Sequence, residues 1–141
     1  IGEFNRHCFH VEDLALMCLT DTDDCFGVYL KTPVQNERTH ETHDDHFLFA
    51  VETHGRCLTP QRFAPKTNVR VFWNDCPYGF LYLGTGSNAH VLFGPRACST
   101  VCCKASQLYE GLTDLTLCGI DGTYNSGPYY QTRRLIAFHL H

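Results

Sequence analysis

Three histidines and three carboxylates crowd into the seven residues from His40 to His46. His40, His43 and His46 recur every third residue, with the acidic side chains between them. Imidazole and carboxylate groups together can bind zinc, copper or nickel, and calcium more weakly. The spacing is one residue shorter than the His-Glu-x-x-His motif of zinc proteases. The segment is therefore interpreted as a loop that either holds zinc through these histidines or is a solvated, pH-sensitive loop.

Cysteine is the second group with chemical potential, because nine occur in 141 residues. Such a count indicates either disulfides in an oxidising compartment or thiolate ligands to zinc. Zinc ribbons usually carry Cys-x-x-Cys pairs, and this sequence has none. Cys102 and Cys103 are adjacent, so on a strand they point to opposite faces and need different partners. The sequence predicts disulfides of open connectivity, with one odd cysteine left free or available for a disulfide-linked dimer.

A cysteine hydrolase would need a thiolate with a histidine in reach. Cys76 stands where an apolar run meets a turn, and His90 or His54 could then act as its base. The alternative is that Cys76 is one half of a disulfide at the end of a strand. We favour the disulfide, because nine cysteines and nine histidines make accidental pairings abundant.

Two tyrosines and two arginines lie close together near the end of the sequence. Protein interfaces favour both residue types, since they combine a large contact area with hydrogen-bonding groups. Tyr129, Tyr130, Arg133 and Arg134 are therefore predicted to contact a protein partner. The alternative is that the tyrosines cover the core while the arginines are merely solvated.

The secondary structure must position these candidate site residues. The sequence consists of short apolar segments separated by turn residues, a pattern that predicts strands. Seven strands are predicted, at residues 26–31, 46–52, 68–73, 80–83, 90–93, 115–120 and 130–140. Two short helices are predicted from good helix formers and a capping serine, at residues 11–19 and 106–112. Glycines and an asparagine between residues 83 and 90 favour a hairpin over a dinucleotide-binding turn, because no helix pattern follows them.

These elements predict an all-β fold, since helices long enough for parallel crossovers are missing from the pattern. We expect an antiparallel β-sandwich or barrel of about seven to eight short strands, cross-linked by disulfides, with at most one or two short helices. The length suits a single β-rich domain over residues 1–141. Residues 1–4 could be an expression scar.

The run Val69-Arg70-Val71-Phe72 precedes Cys76-Pro77-Tyr78, and another cysteine follows at Cys98. This arrangement resembles the latter half of a CUB domain, in which a similar cysteine pair closes a loop around an aromatic-rich hairpin. The resemblance covers about a fifth of the chain and implies an extracellular β-sandwich. Gly79 stands where calcium-binding CUB domains carry an acidic residue, so the resemblance does not imply a calcium site.

Charge and hydropathy narrow the functional classes. The formal charge of −4 gives no basic field for nucleic acid, and no apolar run is long enough to cross a bilayer.

The predicted function is that of a secreted or extracellular, disulfide-stabilised domain that acts through protein-protein recognition. One alternative is a β-barrel carrier of a small apolar ligand. A less favoured one is a cytosolic zinc- or cysteine-dependent enzyme. No cofactor is expected, and zinc at the histidine segment is the alternative.

Overall fold

The computed structural model describes residues 2–66, 68–74, 81–86, 89–94, 99–118 and 129–140. Within these ranges it contains helix α1 (Gly2–Cys8), a 3-10 turn (Ala105–Gln107) and ten strands. The strands are β1 (Leu14–Thr20), β2 (Cys25–Leu30), β3 (His40–Thr42), β4 (His46–Glu52), β5 (Gln61–Phe63), β6 (Arg70–Trp73), β7 (Leu81–Gly86), β8 (Ala89–Phe93), β9 (Ser99–Cys103) and β10 (Tyr129–His139). No helix in the described ranges is long and apolar enough to cross a membrane.

The strands follow the order β3-β6-β7-β8-β9-β10-β1-β2-β4-β5, and each named strand pairs antiparallel with its neighbours. Long β10 belongs to two sheets, because Tyr129–Gln131 pairs with β9 whereas the rest of the strand pairs with β1. We call these the β6 sheet (β3, β6, β7, β8, β9 and the start of β10) and the β1 sheet (the rest of β10, β1, β2, β4 and β5). The prediction of an antiparallel all-β fold is confirmed.

Buried side chains from both sheets form one core cluster in the described part of the chain. The ring centroid of Phe26 in β2 lies 6.0 Å from that of Phe93 in β8, and 4.8 Å from that of Tyr130 in β10. Burial alternates along β4 and β8, as the two-residue period of a strand requires. Aromatic and aliphatic side chains of the two sheets therefore meet in this core.

The prediction of a helix at residues 11–19 was wrong, because Leu14–Thr20 forms strand β1. Leucine and methionine favour helices only weakly, by a few tenths of a kcal/mol per residue. Here β2 and β10 pair with β1 on both sides and take up its backbone hydrogen bonds. Tertiary pairing outweighs the local preference of the segment.

The strand predicted at residues 115–120 was also wrong over its described part, where residues 115–118 form a turn. The Thr116 amide donates to the Thr113 carbonyl over 3.3 Å, and Arg56 donates to the carbonyls of Thr116 and Leu117. The predicted helix at residues 106–112 contracts to the 3-10 turn at Ala105–Gln107. Residues 119 and 120 lie outside the described residues.

The hairpin between β7 and β8 is confirmed, with an irregularity in register between Gly84 and Gly86. Sequence analysis did not predict α1, β3, β5 or β9. Residues 2–4, considered above as an expression scar, belong to α1, and Phe4 packs against the core.

Candidate recognition surface

The face of the β1 sheet that points away from the core is built from apolar side chains. Successive side chains of a strand point to opposite sides of the sheet. Leu16, Val28 and Leu48 are fully buried, so the residues next to them along each strand point away from the core. We call this surface the apolar face; it consists of Ala15, Met17, Leu19, Gly27, Tyr29, Phe47, Phe49, Val51, Ile136 and Phe138. Val51 and Phe138 are 45% and 42% exposed, and most of the others are half-buried.

Strand register arranges the face in rows. One row runs through Phe138, Ala15, Tyr29 and Phe47, which pair directly across four adjacent strands. The next row runs in the same strand order through Ile136, Met17, Gly27 and Phe49. Residues from distant parts of the chain therefore form one continuous surface.

Two aromatic contacts fix the centre of the face. A Cβ atom added to Gly27 would lie 2.5 Å from Cζ of Phe49, so the Phe49 ring lies closely over the glycine. The ring centroids of Tyr29 and Phe47 are 5.0 Å apart. The Tyr29 hydroxyl donates a hydrogen bond to the Asp13 carboxylate, and this bond, with burial and the nearby carboxylates, raises the pKa of Tyr29.

An arginine stands at each side of the apolar face. Arg62 of β5 pairs with Phe49, and its guanidinium carbon lies 5.4 Å from the centroid of the Phe47 ring. Arg134 of β10 pairs with Leu19 at the opposite side. Both arginines are exposed, and neither forms an ion pair within the described part of the chain. Aromatic residues, methionine and arginine are the types enriched in protein interfaces.

The predicted contact residues near the chain end occupy different environments. Tyr130 is only 4% exposed; its ring packs edge-on against Phe26 and its hydroxyl donates to the Leu92 carbonyl. It thus takes the core position that was the alternative in the sequence analysis. The side chain of Tyr129 lies outside the described residues. Arg133 pairs with Asp23 over 2.6 Å, whereas Arg134 borders the apolar face.

The three histidines of the predicted zinc site make separate contacts. His43 Nε2 lies 2.8 Å from a carboxylate oxygen of Glu41, and the ring centroid of His40 lies 4.6 Å from that of Phe72. His46 bonds through Nδ1 to the His43 carbonyl and through Nε2 to the Tyr109 hydroxyl, 2.9 Å away. Burial lowers the pKa of His46.

Zinc binding by these histidines stays a prediction, and it would require several of these hydrogen bonds to break. No group of three histidine, cysteine or acidic side chains among the described residues is arranged to hold a metal ion.

A buried carboxylate, Asp24, organises a second polar cluster that the sequence analysis did not predict. Its side chain is 1% exposed, and Oδ1 lies 2.5 Å from Nη2 of Arg56 and 2.8 Å from Nδ1 of His54. Thr22 donates to its other oxygen over 2.9 Å. The cluster ties the turn between β1 and β2 to the loop between β4 and β5.

His54 and His90, which were considered as bases for Cys76, contact other side chains. Nδ1 of His54 contacts Asp24, and the ring of His90 stacks on Tyr82 with centroids 5.4 Å apart. Burial lowers the pKa of His90. Cys76 itself lies outside the described residues, as do Cys98 and the side chains of Cys102 and Cys103.

Four described cysteines, Cys8, Cys18, Cys25 and Cys57, carry free thiols. Burial raises the pKa of Cys8 to about 11 and that of Cys18 to about 12. A thiol that stays protonated at neutral pH is a poor nucleophile, because the thiolate is the reactive form. Cys8 and Cys18 therefore act as small apolar core residues.

The described part of the chain has an all-β fold, and the β1 sheet presents an apolar outer face. Comparison of the sequence with protein-family models and with curated proteins found no match.

Proposed function

We propose that this chain is an extracellular, disulfide-stabilised β-sandwich that recognises a protein partner through the apolar face. One observation carries the proposal: four adjacent strands present apolar residues to the outside as well as to the core. An antiparallel sheet with a solvated face normally alternates apolar and polar residues. A partner that covers this face would remove its half-exposed aromatic and aliphatic side chains from water.

The size of the face suits the centre of an interface. Four strands about 4.8 Å apart, each contributing about five residues of 3.4 Å, span roughly 300 Å². A typical specific interface buries about 800 Å² on each partner, with its strongest contacts near the middle. The apolar face would therefore supply the energetic centre, and the surrounding polar surface would supply the rim.

The binding proposal is tested by changing the two most exposed members of the face together, as Val51→Glu and Phe138→Glu. We expect most peptides selected on the wild-type protein from a phage-displayed random library to bind this double variant at least about 30-fold more weakly. That loss corresponds to about 2 kcal/mol, as expected when charged groups enter an apolar hot spot. The dissociation constants are measured with immobilised protein.

Leu58→Glu is the matched control, because Leu58 is an 86% exposed apolar residue in the loop between β4 and β5, outside the face. It should leave peptide binding unchanged. Peptides that bind the double variant as tightly as the wild-type protein would overturn the proposed binding surface.

The disulfide and extracellular part of the proposal rests on the cysteine count. The side chains of Cys76, Cys98, Cys102 and Cys103 lie outside the described residues, and these four cysteines are enough for two bridges. We expect intact mass after alkylation in denaturant to reveal cysteines that are protected in pairs until a reductant is added. Nine cysteines that react without reductant would overturn this part, because an oxidising compartment favours disulfides.

A further inference from the structure

The charges around the apolar face indicate the chemistry of the partner. We infer that the partner is an acidic protein segment, which places apolar side chains on the face and carboxylates against Arg62 and Arg134. This inference rests on the proposed function, since it concerns the same surface. Arginine pairs with carboxylates through two parallel hydrogen bonds, which gives such contacts both strength and direction.

The two arginines have no carboxylate partner in the described part of the chain, although acidic residues lie nearby. Three of those carboxylates accept hydrogen bonds from other groups. Asp13 accepts one from the Tyr29 hydroxyl, Asp45 accepts one from Thr32 over 2.6 Å, and Glu52 accepts one from the His54 amide over 2.6 Å. Asp44 lies in the same surface depression as Arg62 but outside the paired rows of the sheet. Arg62 and Arg134 are cations beside the apolar rows that form no ion pair in the described part of the chain, so they are available to an incoming partner.

Arg62 is also held in position before binding. Its guanidinium carbon lies 5.4 Å from the centroid of the Phe47 ring, within the distance of a cation-π contact. This contact keeps the charge over the apolar face rather than in open solvent. A partner carboxylate would then bind a cation whose side chain has already lost part of its conformational freedom.

A second copy of this chain is the competing occupant. In a two-fold symmetric dimer, a residue of one copy contacts a different residue of the other unless it lies on the axis. The row that starts at Arg134 runs through Leu19 and Cys25 to Glu52, but Glu52 already accepts a hydrogen bond from the His54 amide. We therefore argue for an acidic chain, and the oligomeric state is one outcome of the test below.

The spacing of the arginines sets the spacing of the partner carboxylates. Arg134 and Arg62 lie on the first and last of five adjacent strands, β10-β1-β2-β4-β5. Four strand spacings of about 4.8 Å, with an offset of two residues (about 7 Å) along the strands, place them about 20 Å apart. A helix covers that distance in about 14 residues at about 1.5 Å per residue, and at about 3.6 residues per turn these positions return to the same side of the helix.

Two amphipathic helical peptides test the inference. Both carry the same leucine face, and one has glutamates about 14 residues apart on that side of the helix where the other has lysines. We expect the wild-type protein to bind the glutamate peptide at least about tenfold more tightly at low ionic strength, with a preference that shrinks as salt is added. Fluorescence anisotropy gives both dissociation constants.

Charge reversal supplies the matched variants. Arg62→Glu with Arg134→Glu should reverse the preference, and the milder pair Arg62→Gln with Arg134→Gln should abolish it. Arg133→Glu is the control, because Arg133 is also exposed but pairs with Asp23. Circular dichroism confirms that each variant folds.

Each contrary result has a distinct meaning. Equal affinity of the wild-type protein for both peptides overturns the acidic partner while leaving the apolar face as a binding surface. Binding of neither peptide overturns the inference, and the library selection then decides whether the face binds proteins at all. A dimer in sedimentation that is dissociated by the Val51→Glu and Phe138→Glu pair overturns it in favour of a second copy.

Discussion

Replacing Gly27 with alanine is expected to lower the free energy of unfolding by about 3 kcal/mol, as overpacking of a tight site does. The added Cβ would lie 2.1 Å from the carbonyl oxygen of Leu16 and 2.5 Å from Cζ of Phe49. Leu16 stands in the middle of β1 with a paired strand on each side, so its backbone cannot move away cheaply. Urea unfolding followed by tryptophan fluorescence measures the loss.

Gly55→Ala is the control, because it makes the same glycine-to-alanine change at a site without close packing. Gly55 has φ +82 and nothing within 4 Å of an added Cβ, so alanine there costs only its unfavourable backbone conformation, about 1 kcal/mol. If the two variants lose the same stability, the close packing of β1, Gly27 and Phe49 is contradicted.

Replacing Asp24 with alanine is expected to cost about 3 kcal/mol or more, the usual effect of breaking a buried ion pair by removing one partner. The change leaves the half-buried guanidinium of Arg56 without its carboxylate and removes the acceptor for His54 and Thr22. It also frees the loop between β4 and β5 from the turn between β1 and β2. The same urea unfolding measurement applies.

The neighbouring residue provides a matched control. Asp23 also forms an ion pair with an arginine, Arg133, over 2.6 Å, but both side chains are exposed. Asp23→Ala should therefore cost less than about 1 kcal/mol, because solvent screens exposed pairs. Equal losses at Asp23 and Asp24 would contradict the structural role of the buried cluster.

The local sequence pattern was sufficient to predict a strand when that strand has one buried face and a clear turn beside it. The β7-β8 hairpin follows from glycines between two apolar runs, and β4 matches the segment predicted at residues 46–52. Leu14–Thr20 was misjudged because it is apolar on both faces, so its two-residue period is hidden. Three-residue strands such as β3 and β5 are too short to show a period at all.

Long-range contacts explain the other differences. The segment at residues 115–118 has strand-forming residues, but Arg56, far away in the chain, binds two of its carbonyls. Composition alone predicted Arg134 to be a contact residue, whereas the apolar face could not be predicted without the pairing of β10 with β1. The detectable signal was that the outward positions of β4, at Phe47, Phe49 and Val51, are as apolar as its inward positions.

Oxidation of Met17 tests the central claim, that a protein partner binds the apolar face, most directly. Met17 is the only methionine of the chain and lies between Ile136 and Gly27 in the middle of that face. Hydrogen peroxide converts its thioether to the sulfoxide when the side chain is reachable, and tandem mass spectrometry reads the rate at that residue. With a library-selected peptide at saturating concentration, we predict that the rate falls to a small fraction of its value in the free protein. A saturating peptide that leaves the oxidation rate of Met17 unchanged would contradict the account.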